Sequence, residues 1–142
     1  MDPKSKVEIR GFTARHYDAL LNTATLGIYT SFIQKVISLI KIEPGNKIVD
    51  LGAGMGRNAL LMMKHLFPEG ELVGFDISKE MIDQFNKNCS SFPNVRLIQR
   101  RIEQDLGYRN YFDKAFISFV LHGFPQKKRQ NIIGNVFRAF KK

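Results

Sequence analysis

One segment constrains this chain more than any other: Ile48-Val49-Asp50-Leu51-Gly52-Ala53-Gly54-Met55-Gly56-Arg57. A short apolar run with β-branched residues at its centre leads straight into three alternating glycines, and a helical pattern follows. Glycines at the end of a buried strand let the backbone turn sharply and let a ligand approach where a Cβ would otherwise stand. The fingerprint of dinucleotide-binding domains is Gly-x-Gly-x-x-Gly. Here the third glycine comes one residue early, and Arg57 takes the dinucleotide position. A long side chain there crowds helix–strand packing and the approach of a pyrophosphate. The spacing therefore suits a ligand without one.

The pattern around this segment is regular. Residues 1–11 are polar. Phe12 to Asn22 reads as a short helix. A second helix carries Leu26, Tyr29, Ile33, Val36, Ile37 and Ile40 on one face. Glu43-Pro44-Gly45-Asn46 turns the chain into a strand at Lys47 to Leu51. After the glycine loop the periodicity predicts a helix over Arg57 to Phe67, a strand over Glu71 to Asp76, and a helix over Lys79 to Asn88 capped by Ser78. A third strand falls near Val95 to Gln99 and a fourth, strongly apolar, over Phe112 to Val120. Pro125 fits the first turn of a last helix, whose apolar face is Ile132, Ile133, Val136, Phe137 and Phe140. Alternating strands and helices indicate a doubly wound, mostly parallel α/β sheet with helices on both faces.

Composition narrows the class. At 142 residues, 44% hydrophobic and 25% charged, the chain fits one domain, residues 1–142, with a buried core and with residues 12–42 as an N-terminal helical cap. No apolar run approaches the roughly 18 residues of a membrane span, and none follows Met1-Asp2-Pro3. The single cysteine, Cys89, makes no internal disulfide. These features point to a cytoplasmic, reducing setting and away from disulfide frameworks and zinc ribbons. The net charge of +9 is either a basic surface or an attraction for anionic partners. Arg100-Arg101, Lys127-Lys128-Arg129 and Lys141-Lys142 are its clusters, without the interleaved aromatics of single-strand binders.

Two acids stand out. Asp50 ends a buried strand, where a carboxylate is costly without donors. Either a ligand ammonium or the following loop backbone would supply them. Asp76 closes the second strand, twenty residues beyond Gly56, at the sheet edge where ligands of open α/β folds bind. It is placed either to accept ribose hydroxyls or to face the following helix N-terminus.

Taken together, these segments resemble the class I S-adenosylmethionine-dependent methyltransferases. Val49 to Gly56 is similar to the family's first motif, Val73 to Ser78 to its second, and Phe112 to His122 to its fourth-strand motif. Phe12 to Asp18, with Asn22 and Gly27, is similar to the ubiquinone/menaquinone-biosynthesis branch and its small-molecule relatives. The resemblance implies a Rossmann-like methyltransferase fold with S-adenosylmethionine as cofactor. Gly52, Ala53, Gly54 and Gly56 would line its methionine part, with Asp50 near the ammonium and Asp76 on the ribose. Ile77 and Met81 would flank the adenine. Ile102 would present its backbone N–H, while Glu103 and Phe119 complete the cofactor set. Arg101 stands where the family often has an acid.

Methyl transfer from a sulfonium is an in-line displacement in which the cofactor carries the reactive carbon. The protein aligns the acceptor, so neither metal ligands nor paired carboxylates are expected. A general base is needed only for a nucleophile holding a high-pKa proton. His122 and Tyr17 are the catalytic candidates, with His16 a further one; the alternative for His122 is a loop histidine bonded to backbone. The expected acceptor is a small molecule. An RNA-modifying methyltransferase and a non-catalytic cofactor-binding domain are the rival readings. The family's sheet has seven strands and this sequence shows four, in an expected order 3-2-1-4. The last strands are thus expected to be missing, through truncation, or the apolar fourth-strand edge to be covered by a second protomer.

Overall fold

A computed structural model describes residues 27–142. The predicted helix at 12–22, and with it His16 and Tyr17, lies outside the described residues, as does the expected cap up to residue 26. Helix α1 covers Ile28–Leu39, strand β1 Lys47–Leu51, helix α2 Arg57–Leu66 and strand β2 Glu71–Asp76. Helix α3 is Lys79–Asn88, strand β3 Val95–Gln99, strand β4 Lys114–Ile117, and helix α4 Gln126–Ala139.

The four strands form one sheet in the order β3-β2-β1-β4, every pairing parallel. This is the expected order, and it makes β1 central. Side chains alternate across a strand, and here the alternation builds two cores. Ile48 and Leu72 point to one side, where Ile33, Ile37, Ala59, Met62, Met63 and Phe85 of α1, α2 and α3 cover them. Val49, Leu51, Val73 and Phe75 point to the other, against Leu106, Phe112, Ile132 and Ala139. All eight residues 48, 49, 51, 62, 63, 72, 73 and 75 are fully buried, so the central strands read as continuous apolar runs, as a sheet covered on both faces requires.

Local chemistry explains the boundaries. Ser78 caps α3, its hydroxyl accepting from the Met81 N–H at 3.4 Å. Pro125 is not inside the last helix, as expected, but is its N-cap, in extended conformation.

Two expectations are corrected. The fourth strand ends at Ile117, not Val120, because Phe119 takes a positive φ of 55° that no strand accommodates. It also begins later. Phe112 instead forms a lone parallel bridge with Phe140, fixed by the Phe112 N–H on the Ala139 carbonyl (3.0 Å) and the Lys141 N–H on the Phe112 carbonyl (3.0 Å). The bridge lies just ahead of β4 and ties the end of α4 to the segment that leads into that strand. The second correction concerns α4. Its buried residues are Ile132, Asn135 and Ala139, whereas Ile133 and Phe137 are 54% and 70% exposed. Asn135 is held inside because its Nδ2 donates to the carbonyls of Ile102 (2.9 Å) and Gln104 (2.5 Å). It pins the segment after β3 to α4.

Candidate functional site

The carboxyl ends of all four strands open onto one cleft. The glycine loop forms its floor. The N–H groups of Gly52 and Ala53 both donate to the Phe75 carbonyl, at 2.8 and 3.0 Å, which ties the loop across to β2. The three loop glycines serve different ends. A Cβ at Gly52 would stand 2.5 Å from Val120 Cγ2, and one at Gly56 2.8 Å from Cys89 Sγ. Both are closed by packing. A Cβ at Gly54 would meet nothing within 4 Å. Its missing side chain leaves room on the cleft side, the space a ligand needs against the backbone.

Asp76 lines the cleft and organises its middle. One carboxylate oxygen accepts from the Ile77 and Ser78 N–H groups at 2.8 and 3.0 Å, and the other from the Gly54 N–H at 2.9 Å. The residue therefore does face the helix entry, and it also clasps the glycine loop. A carboxylate offers about four acceptor sites; three are taken by backbone, leaving one for a hydroxyl where the sequence suggested two.

Asp50 sits beneath the loop rather than on the cleft wall. It is buried, and its Oδ2 has no hydrogen-bond partner. Burial, and then the nearby charge of Asp76, pushes its carboxyl up to about 7. The neighbouring Cys89 thiol is pushed up to about 11 by burial and by Asp50, which makes it a packing residue rather than a nucleophile.

The structure brings Gly52, Ala53, Gly54, Asp76, Ile77, Met81, Ile102, Glu103 and Phe119 onto the cleft. Gly56 lies behind it, at the start of α2. Burial alone would raise the Glu103 carboxyl, but hydrogen bonds from its own N–H, from Arg101 and from Lys128 outweigh it and hold the group below the usual carboxylate range. Arg101 Nε is 3.0 Å away and Lys128 Nζ 3.4 Å. Arg129 Nε donates to the Phe124 carbonyl at 2.7 Å. Two cations of the Lys127-Lys128-Arg129 run are thus used within the fold. His122 lies in the 3-10 turn Leu121–Gly123, exposed and off the cleft lining. The geometry does not bring it to the site.

Tyr29, Arg57, Asn58 and Ser118 are among the lining residues not singled out as site residues from the sequence. Tyr29 reaches in from α1, and Arg57 lies over its ring at 4.9 Å while donating to the Thr30 hydroxyl. Asn58 Nδ2 donates to Ser118 Oγ at 3.3 Å, joining α2 to the end of β4. Tyr29 carried only a core-face signal, Asn58 is a polar residue without a motif, and Ser118 lies in the fourth-strand motif with no role assigned to it.

An open parallel sheet with a ligand cleft at its carboxyl edge, a glycine loop after β1 and a carboxylate closing β2 defines a doubly wound, small-ligand-binding α/β domain. Residues 48–142 match the family described as methyltransferase domain, and the chain belongs to that family. It is 26% identical over 132 residues to a demethylmenaquinone methyltransferase of Lactobacillus johnsonii, covering 90% of this chain and 53% of that protein. It is also 26% identical over 128 residues to a ubiquinone/menaquinone biosynthesis C-methyltransferase of Wigglesworthia glossinidia brevipalpis, covering 88% and 50%. The chain spans about half the length of these curated relatives. A solved S-adenosylmethionine-dependent methyltransferase from Aquifex aeolicus superimposes with a TM-score of 0.69 at 19% identity, over 77% of this chain and 58% of that one. No helix among the described residues is long and apolar enough to cross a membrane.

Proposed function

We propose that the chain is the cofactor-binding part of an S-adenosylmethionine-dependent methyltransferase acting on a small-molecule acceptor. The observation that carries this reading is the open space at Gly54 beside a carboxylate that already clasps the same loop. When bound, the cofactor supplies an electrophilic methyl group and a neutral thioether leaving group. The chain's own residues bind and orient. Gly52 to Gly54 present backbone to the methionine part, and Asp76 offers its remaining acceptor site to a ribose hydroxyl. Ile77, Met81 and Ile102 give apolar walls for the adenine. Loss of the pyrophosphate spacing fits a nucleoside cofactor of this kind.

The names of the two curated relatives support a small lipophilic ring acceptor, and the apolar character of Tyr29, Phe119, Val120 and Phe124 is consistent with it. With His122 off the cleft, His122 is not proposed as a general base. Calorimetric titration with S-adenosylmethionine, S-adenosylhomocysteine and NAD tests the reading. Both sulfur ligands are expected to bind and NAD is not. Binding of NAD alone, or of none of the three, would overturn it.

A further inference from the structure

We propose that Phe119, buttressed by Tyr29, seats the methyl acceptor, and that the surface they form selects a flat, conjugated ring. This rests on reading the cleft as a methyl-transfer site, and it assigns Phe119 to the acceptor rather than to the cofactor.

The position of Phe119 is the first argument. Neighbouring strands lie about 4.8 Å apart, so the ends of β2 and β4 flank β1 at roughly twice that spacing. Asp76, Ile77, Met81 and Ile102 gather at the β2–β3 side of the cleft. Phe119 follows β4 on the opposite side, and Tyr29 joins it from α1. A ligand held by Asp76 leaves that side for the second reactant.

The conformation of Phe119 is the second. Its φ is +55°, a region that bulky L-residues rarely adopt. Such outliers persist where the surroundings over-determine them, and they cluster at ligand sites. Core packing does not account for this one, because the side chain is 56% exposed. The strained backbone holds a phenyl ring at the mouth of the cleft.

The third argument is support from behind. The Tyr29 and Phe119 centroids are 5.5 Å apart with planes at 43°. Rings in contact lie about 4.5–7 Å apart, so the pair already touches and admits no third ring between. Tyr29 is itself fixed by the Arg57 guanidinium over its ring at 4.9 Å. An acceptor would therefore stack on the open face of Phe119, which is rigidly backed. Stacking rewards a flat π-face over a saturated ring of the same size.

The test measures binding of 2-naphthol and of decahydro-2-naphthol by calorimetry, in the wild-type chain and in Phe119→Leu, Phe119→Tyr and Tyr29→Leu. Phe119→Leu keeps apolar bulk and the same backbone demand but removes the flat face. It is expected to weaken 2-naphthol by about 2- to 12-fold, and to leave decahydro-2-naphthol and S-adenosylhomocysteine within about 2-fold. Phe119→Tyr is expected to keep the preference, and Tyr29→Leu to reduce it partly. The proposal is overturned if wild type does not prefer the flat ring, if Phe119→Leu leaves the preference intact, or if S-adenosylhomocysteine weakens as much as 2-naphthol. If wild type prefers 2-naphthol through Phe119 yet binds neither sulfur ligand, the seat stands and the cofactor reading fails.

Discussion

Asp50→Asn offers the sharpest test of how the floor of the cleft is built. Asp50 is buried beneath the glycine loop, with Oδ2 unpartnered. Its carboxyl is pushed from an ordinary 3.8 to about 7, by burial first and by Asp76 second. The folded state therefore holds this proton up to about pH 7, whereas the unfolded chain releases it near 3.8. Across that window the folded state binds more protons, so this group's contribution makes stability fall as pH rises, and the loss is complete above 7. At 1.36 kcal/mol for each pH unit, the full effect is about 4 kcal/mol. Asn removes the charge with almost no change of shape but buries an extra N–H, at a cost of about 1–3 kcal/mol. The cleaner quantity is the difference between variant and wild type, in which titrating groups not coupled to Asp50 cancel. That difference is expected to move in favour of Asp50→Asn by about 3–4 kcal/mol between pH 3.5 and pH 8. Urea unfolding at four pH values across the range measures it. A gap that does not change with pH, or one that moves against the variant as pH rises, would refute the argument.

Three further outcomes follow from the same geometry. Gly52→Ala should destabilise the fold by about 2–3 kcal/mol, since its Cβ meets Val120 at 2.5 Å as well as a positive φ; Gly54→Ala should cost only about 1–2 kcal/mol, from φ alone, yet weaken S-adenosylhomocysteine at least tenfold. Thermal melts beside calorimetry separate the two. Asp76→Ala should lose both binding and stability, about 1–3 kcal/mol each, because the Gly54, Ile77 and Ser78 N–H groups lose their acceptor; normal cofactor affinity would remove Asp76 from the site. Asn135→Leu should cost about 1–3 kcal/mol in urea unfolding, by stranding the Ile102 and Gln104 carbonyls.

The first three strands were legible to the residue: β1 and β2 because both faces of a central parallel strand are buried, and β3, an edge strand, because its run Val95-Arg96-Leu97-Ile98-Gln99 is bounded by polar residues. β1, β2 and β3 begin and end where the pattern places them. The fourth run continues past Ile117 in apolar residues, and nothing in Ser118-Phe119-Val120 announces a left-handed backbone. α4 misled for a related reason. Helical spacing marks Ile133 and Phe137 as inward, yet apolar residues often stay exposed. The buried polar residue, Asn135, is set by two carbonyls from a distant loop, which no local pattern encodes. The site divides in the same way. The glycine loop and Asp76 stand out because backbone geometry demands special residues there. Tyr29 joins the cleft only through tertiary packing, and His122 leaves it because the chain turns after β4.

Where the backbone is strained also bears on how the domain works. Gly52, Gly54 and Gly56 all carry positive φ, and Phe119 joins them across β1. All four lie at the carboxyl edge of the two adjacent strands β1 and β4, while the sheet below them is regular and covered on both faces. The buried Asp50 carboxylate lies at the same level. A fold under selection for stability alone would relax Phe119 into the strand and replace Asp50 with a residue that needs no partner. Both changes are open to the chain, since Phe119 is exposed and Asp50 has an unpartnered oxygen. That the sequence keeps both beside the glycine loop argues that the edge is shaped for ligands. The two cores below offset the cost and hold the loop in place.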